Sequence, residues 1–490
     1  GFRKTGRPAY LFGETLGGTV EGFLTTAFDE VWLQPSGEVF LTGFAAESPF
    51  LKRMLENIGV EPLFSARKEY KSAPEMFTDT RLSGPSRESL QALLDSWAGQ
   101  VIDAIATRRK LPPQRVRELM DKAPLLAGEA KDAGLVDHLG YADQMNEAVE
   151  ARFDGIRKIT LEHYRDALEP LPATSRRLAV IQGHGTIHRG KGHFSPVTAN
   201  AAMGSDTMVK AFEEAIRDDT VAAIVFRVDS PGGDYTASDT IWHEVKRARA
   251  KGKPVIAYMG EMAASGGYFV SMAADGIVAQ PGTITGSIGV FSGKFVLRGL
   301  WEKIDVAWDG VHVGANATLS SANHGFTPKQ RERFEAVLDE IYTDFTSKAA
   351  KDRKLSAERI DAAARGRVFS GADALKVGLV DTLGGFATAV DQAKKVAGIP
   401  AEEPLRLVSY PRPKPLGEAL LEVLSTGEVP DLGVLRLPMT GEDGLSRWLP
   451  LLRKVGALVE PGRGDVRSDA LRMPPLEVYG KSGNGGRLLP

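Results

Sequence analysis

The sequence predicts an α/β protein whose chain is written twice, and three observations carry that prediction. Residues 7–44 echo residues 253–288: Pro8 answers Pro254, Asp29 answers Asp275, and Gln34-Pro35 answers Gln280-Pro281. The echo resumes downstream, where LPPQRV (111–116) meets LSAERI (355–360) and GLVDHLG (134–140) meets GLVDTLG (378–384). Within the later copy, short β-rich runs alternate with helical patterns, the signature of βαβ units around a buried sheet.

Leu178–Gln182, Ala222–Val228, Val255–Tyr258 and Gly276–Ala279 are the strand candidates of the second copy. A helix is expected after Asp234, with Ile241, Val245 and Ala248 on one face. Each copy also carries a long amphipathic helix facing its core. Leu90, Leu93, Leu94, Trp97 and Val101 mark the first, and Phe334, Val337, Leu338, Ile341 and Phe345 the second. The first copy has no counterpart to residues 177–251, so its sheet is expected to be incomplete. Its first recognisable element matches the middle of the second copy, from which a segment upstream of Gly1 is expected. The domains read as 1–167 and 177–400, joined by a proline-bounded linker over Leu168–Arg176. Beyond Pro400 the composition turns rich in Pro and Gly, and 401–490 reads as a loosely structured tail.

Composition narrows the possible functions. At 490 residues the chain exceeds the roughly 250–300 at which single cores stop growing. Its 61 basic and 63 acidic residues leave a formal charge of -2, no footprint for nucleic acid. With no cysteine there is neither a disulfide, a thiolate zinc site nor a cysteine nucleophile. Apolar runs such as Val221–Phe226 are far shorter than the roughly 18–20 residues of a membrane span. GTIHRGK (185–191) has phosphate-loop spacing, but Gly192 stands where a magnesium-binding Ser or Thr belongs, and the segment reads as a loop.

The copies differ where chemistry would sit. Ser265, in Ala-Ala-Ser-Gly-Gly, follows a predicted strand and precedes an apolar helical run. A serine there lies among free N–H groups at a helix start, as a nucleophile or as an ordinary N-cap. The first copy has Gly18 or Thr19 opposite it, depending on a one-residue gap. Asp229-Ser230-Pro231-Gly232-Gly233-Asp234 ends a strand with adjacent glycines, whose bare N–H groups suit an oxyanion site or a plain turn. A serine needs a base, and the eight histidines form no triad or metal spacing. Lysine is the alternative, provided burial or hydrogen bonding keeps it neutral. Lys71 of KEYKSAP falls opposite Ala317 of the second copy, whereas nothing in the segment itself separates Lys71 from Lys68.

Taken together, YKSAPE around Lys71, RVDSPGGD (227–234), MAASGGY (262–268) and TGSIGV (285–290) resemble the signal peptide peptidase A (protease IV) family, in its long bacterial form of two tandem repeats. The resemblance covers roughly residues 1–400. It implies two tandem ClpP/crotonase-like repeats, the first truncated at its N-terminus, and a serine endopeptidase needing no metal or cofactor. Ser265 would be the nucleophile and Lys71 the general base. Gly266 with Gly232 or Gly233 would hold the oxyanion, and Ser287 would orient the lysine. The implied substrates are cleaved signal peptides and other hydrophobic peptides. The implied setting is the inner membrane, catalytic part on the periplasmic side, reached through an N-terminal segment absent from this chain. A homo-oligomer, a tetramer, is expected. Two other readings stand beside it: a crotonase-like acyl-CoA enzyme and an inactive oligomeric scaffold.

Overall fold

Strand Val221–Ser230 is apolar without a break over Val221–Phe226 because it is covered on both faces. Its period of two sends Ile224, Phe226 and Val228 into one core and Ala223 and Val225 into another. The computed structural model describes residues 5–412 apart from 154, 157, 168–175 and 196–199. Most of the expected linker, and the expected tail beyond residue 412, lie outside the described residues. Two units emerge. One comprises the described parts of Gly1–Ser48 and Leu94–Pro170, the other those of Pro49–Leu93 and Leu171–Pro475.

In the larger unit the strands lie in the order Val368–Ser370, Ile284–Gly286, Val255–Ala264, Val221–Ser230, Arg177–His184, Arg406–Tyr410. Val255–Ala264 forks. Residues 256–259 pair with Gly276–Ala279, while 262–264 pair with Ile284–Gly286. All four strands expected from sequence are present, and the helix after Asp234 runs over Tyr235–Ala250 with Ile241, Val245 and Ala248 fully buried. Asp234 caps it by accepting from Ala237 N at 2.8 Å. Helix Phe386–Val396 covers the opposite face with Ala389 and Ala393.

Three expectations are corrected. Arg406–Tyr410, assigned by composition to the tail, is a strand pairing in parallel with residues 177–181. Thr186–His188, read as loop, is a short strand beside Ala202–Gly204. Val337 is 41% exposed rather than core-facing. Its helix, Pro328–Arg353, lies in its first half over a two-stranded ribbon instead of the main sheet.

That ribbon joins the two copies. Glu61–Arg67 pairs antiparallel with Val290–Val296, Arg67 opposite Val290. Phe295 meets Phe64 and Phe77 edge-on, at ring centroids 5.1 and 5.2 Å apart. Arg67 reaches Glu335 at 2.8 Å and Asp339 at 2.6 Å, tying the ribbon to the long helix. Residues 49–93 of the first copy therefore belong to the unit that holds most of the second.

The smaller unit has a parallel sheet of Tyr10–Gly13, Glu30–Leu33 and His138–Leu139. Val31, Leu33, Ile102, Ile105, Val116 and Leu125 form its core. Its polar anchors repeat those of the larger unit. Asp29 accepts from Ala9 N at 2.9 Å, as Asp275 does from Val255 N at 2.9 Å. Asp137 accepts from Val31 N and Asp381 from Ile277 N, both at 2.8 Å, and each pairs with the last arginine of a 26-residue helix, Arg109 or Arg353. Helix Thr19–Leu24 starts after Gly18 as helix Gly266–Ser271 starts after Ser265, so Gly18 is the counterpart of the serine. Gly18 is extended, with φ -169°.

Asp381→Ala would strand the Ile277 N–H and leave the buried Arg353 guanidinium without its carboxylate. A loss of about 2 kcal/mol is expected, read as a lower urea midpoint of the full chain.

Candidate active site

Strand Val255–Ala264 delivers Ser265 straight into helix Gly266–Ser271 with no intervening turn. The change of direction falls on Ser265 itself, at φ 56° and ψ -117°, a conformation side-chain-bearing residues seldom adopt. Its N–H is held by Gly286 O at 2.9 Å, and its side chain is fully buried. The helix start presses on the 230–233 turn. A Cβ on Gly266 would lie 2.7 Å from Ser238 Oγ and 3.1 Å from Gly233 N, so the motif requires glycine after the serine.

The turn is anchored from both sides, Ile187 N donating to Gly232 O and Asp234 N to Ile187 O, each at 2.8 Å. Gly232 N–H already donates to Ser230 Oγ at 3.1 Å. Gly233 and Gly266 have no backbone N–H acceptor among the described residues. Two bare donors thus stand next to the serine, and of the two turn glycines Gly233 is the one with a donor to offer.

Lys71 comes from the segment just after the ribbon strand Glu61–Arg67. Its Nζ lies 2.9 Å from Ser265 Oγ, 2.9 Å from Ser287 O and 3.0 Å from Ser287 Oγ. The side chain is 3% exposed, and burial pushes its pKa down to about 7. Desolvation is the cause, since it penalises the ammonium and spares the neutral amine. Lys68, equally plausible from sequence, points elsewhere, its Nζ 5.9 Å over the Tyr342 ring. Ala317, opposite Lys71 in the repeat, is exposed in the turn 315–320.

The three oxygens around Nζ can be served by either protonation state, and it is burial that favours the neutral amine. Its two N–H donors can go to Ser287 O and Ser287 Oγ, which leaves the lone pair facing Ser265 Oγ. An ammonium has no lone pair and could accept nothing. Ser287 is 1% exposed and holds φ 51°, a second strained residue in the cluster. The sequence reading anticipated its hydroxyl but not its carbonyl, which any residue type could supply and which leaves no signal in the sequence. Ser230, which occupies the Gly232 donor, was also missed. It stands inside the quoted motif, and only the fold shows what its hydroxyl does.

These features define a class: a duplicated α/β protein in which a serine at a strained strand–helix junction meets a desolvated lysine. Residues 1–154 and 247–400 match Peptidase family S49, and the chain belongs to that family. It is 32% identical over 434 residues to the chloroplastic serine protease SPPA of Arabidopsis thaliana, covering 84% of this chain and 62% of that protein. Protease 4 of Salmonella typhi is 33% identical over 413 residues, with 81% of this chain and 65% of that protein covered. The chain thus spans less than two thirds of the length of either relative. A solved ClpP1 of Listeria monocytogenes aligns with 43% of this chain and 94% of its own at 15% identity, with a TM-score of 0.28.

Proposed function

We propose that this chain is a serine endopeptidase with a Ser265–Lys71 dyad. The observation that carries the reading is the 2.9 Å approach of a fully desolvated lysine amine to a serine hydroxyl at a helix start. Neutral Lys71 takes the proton as Ser265 Oγ attacks the scissile carbonyl. Gly233 and Gly266 N–H groups receive the negative charge on the carbonyl oxygen. Lys71 then returns the proton to the leaving amine and activates the water that releases the acyl group. Ser287 orients the amine from its hydroxyl and carbonyl.

The names of the relatives, a serine protease and a protease 4, support peptide hydrolysis. Family resemblance supports the finer reading: cleaved signal peptides and other hydrophobic peptides as substrates, at the inner membrane on its periplasmic side, with a homotetramer as the working form. Among the described residues no helix is long and apolar enough to cross a membrane. An acyl-CoA enzyme or an inactive scaffold would leave the buried pair without a role.

A fluorophosphonate probe tests the assignment. It should label Ser265, located by mass spectrometry, at a rate that rises about tenfold per pH unit below pH 7 and levels off above it. The sign follows from the base being the neutral lysine, whose pKa is about 7. Labelling of another serine, or a rate flat from pH 5 to 9, would sink the reading.

A further inference from the structure

Lys71 lies outside any helix or strand, so something other than its own backbone ladder must hold it against Ser265. Three consecutive residues of the second copy, Arg365, Gly366 and Arg367, run alongside it. Their backbone is bonded at every position. Arg365 O accepts from Tyr70 N at 3.0 Å, Gly366 N donates to Ile288 O at 2.8 Å, and Arg367 O accepts from Ser287 N at 2.7 Å. One short strap therefore touches both the residue before Lys71 and Ser287, which takes the lysine amine.

Side chains reinforce both ends. Arg365 reaches Glu69 and Asp361, each at 2.8 Å. The Arg367 guanidinium lies 4.0 Å over the Tyr70 ring and pairs with Glu88, to which Tyr70 OH donates at 3.1 Å. Between them Gly366 has φ +86°, and a Cβ there would stand 2.4 Å from Lys71 N and 2.6 Å from its Cα and Cβ. No other residue fits without moving Lys71.

The duplication supplies an independent observation. The spacing that relates Arg109 to Arg353 and Asp137 to Asp381 places Asp121, Lys122 and Ala123 opposite the strap. The first copy has neither the glycine nor the arginines. Among the described residues the strap stands in the copy that carries the serine.

We propose that Arg365, Gly366 and Arg367 are positioning residues of the dyad. They fix the backbone at Tyr70 and Lys71 relative to Ser287, and thereby the separation of the lysine amine from the serine hydroxyl, while Arg367 over Tyr70 closes the approach of water from that side. The inference rests on the Ser265–Lys71 reading. Titratable groups facing the strap are Glu69, Asp361, Glu88 and Tyr70, all engaged by its two arginines, and Tyr342, whose hydroxyl accepts from Arg365 N at 3.3 Å; none of them contacts the Lys71 amine.

The test uses Gly366→Ala, Arg367→Ala and Arg367→Lys in the full chain, with a hydrophobic peptide ester as substrate and thermal unfolding measured in parallel. Gly366→Ala should lower kcat about 100-fold, the scale of an ångström misplacement, with KM within about twofold. Arg367→Ala should lower kcat about tenfold and move the pH midpoint of kcat/KM upward, because a wetter amine holds its proton longer. Arg367→Lys, which keeps a cation over Tyr70, should recover part of both. If Gly366→Ala does not fold, the two Arg367 variants decide. Wild-type kcat and pH midpoint in the folded variants would overturn the proposal, as would losses confined to thermal stability. Lys71→Ala separates the two readings: an active Lys71→Ala fails the dyad, whereas an inactive one beside unchanged strap variants fails the strap alone.

Discussion

Ser265→Ala and Lys71→Ala are each expected to lower hydrolysis of a hydrophobic peptide ester or of casein by about 10⁴-fold or more, with the double variant little worse than either single. The non-additivity is the informative part. Without its hydroxyl the site has no nucleophile, and the amine has nothing to deprotonate. Without the amine the hydroxyl is a fully buried alcohol that has lost the base bonded to it. Residual rate would come from the Gly233 and Gly266 donors and from substrate binding, which neither substitution touches. Either single variant retaining full activity, measured on the folded protein, would rule the dyad out.

Lys71→Met is expected to unfold later than wild type at pH 6 and to lose that advantage towards pH 10. In the unfolded chain the lysine keeps its proton up to its ordinary value of 10.5, while in the folded chain it releases it near 7. Between those values the unfolded state binds more protons, so wild-type stability rises with pH. Below pH 7 the full penalty of burying the lysine is present, about 5 kcal/mol from a shift of that size. Methionine removes the penalty but leaves the Ser287 carbonyl and two hydroxyls without their partner, which offsets about 1–3 kcal/mol. Urea unfolding of both proteins at pH 6, 8 and 10 reads the difference directly. A gap that stays constant with pH would show that Lys71 is not neutral in the folded chain.

Much of this architecture is legible in the sequence. Strands that are apolar on both faces betray themselves as unbroken runs, hence the sheet around Val221–Ser230. The placement of Ser265 at a helix start follows from an apolar run broken by Ser-Gly-Gly. Local patterns do not announce long-range pairing, however. The ribbon of Glu61–Arg67 with Val290–Val296 joins segments far apart in sequence, and LFSAR carries no alternation that names its partner. Without that ribbon the choice of Lys71 over Lys68 rests on resemblance, while with it the choice follows from which side chain enters the buried pocket beside Ser265. Arg406–Tyr410 was hidden by its composition: prolines follow it, and RLVSY shows no clean alternation, with Leu407 exposed beside Val408. Gly366 was invisible for a different reason, because a glycine's meaning lies in what would collide with it.

The left-handed backbone at Ser265 sets the two copies apart. The copies differ here by more than a side chain, since Gly18 is fully extended where its counterpart is wound the other way. The aspartates that hold the strand starts show no such drift. The two halves thus share a scaffold, while the strained conformation belongs to one of them. The two halves differ here in torsion angles as well as in letters, and a serine placed at Gly18 would match only the letter.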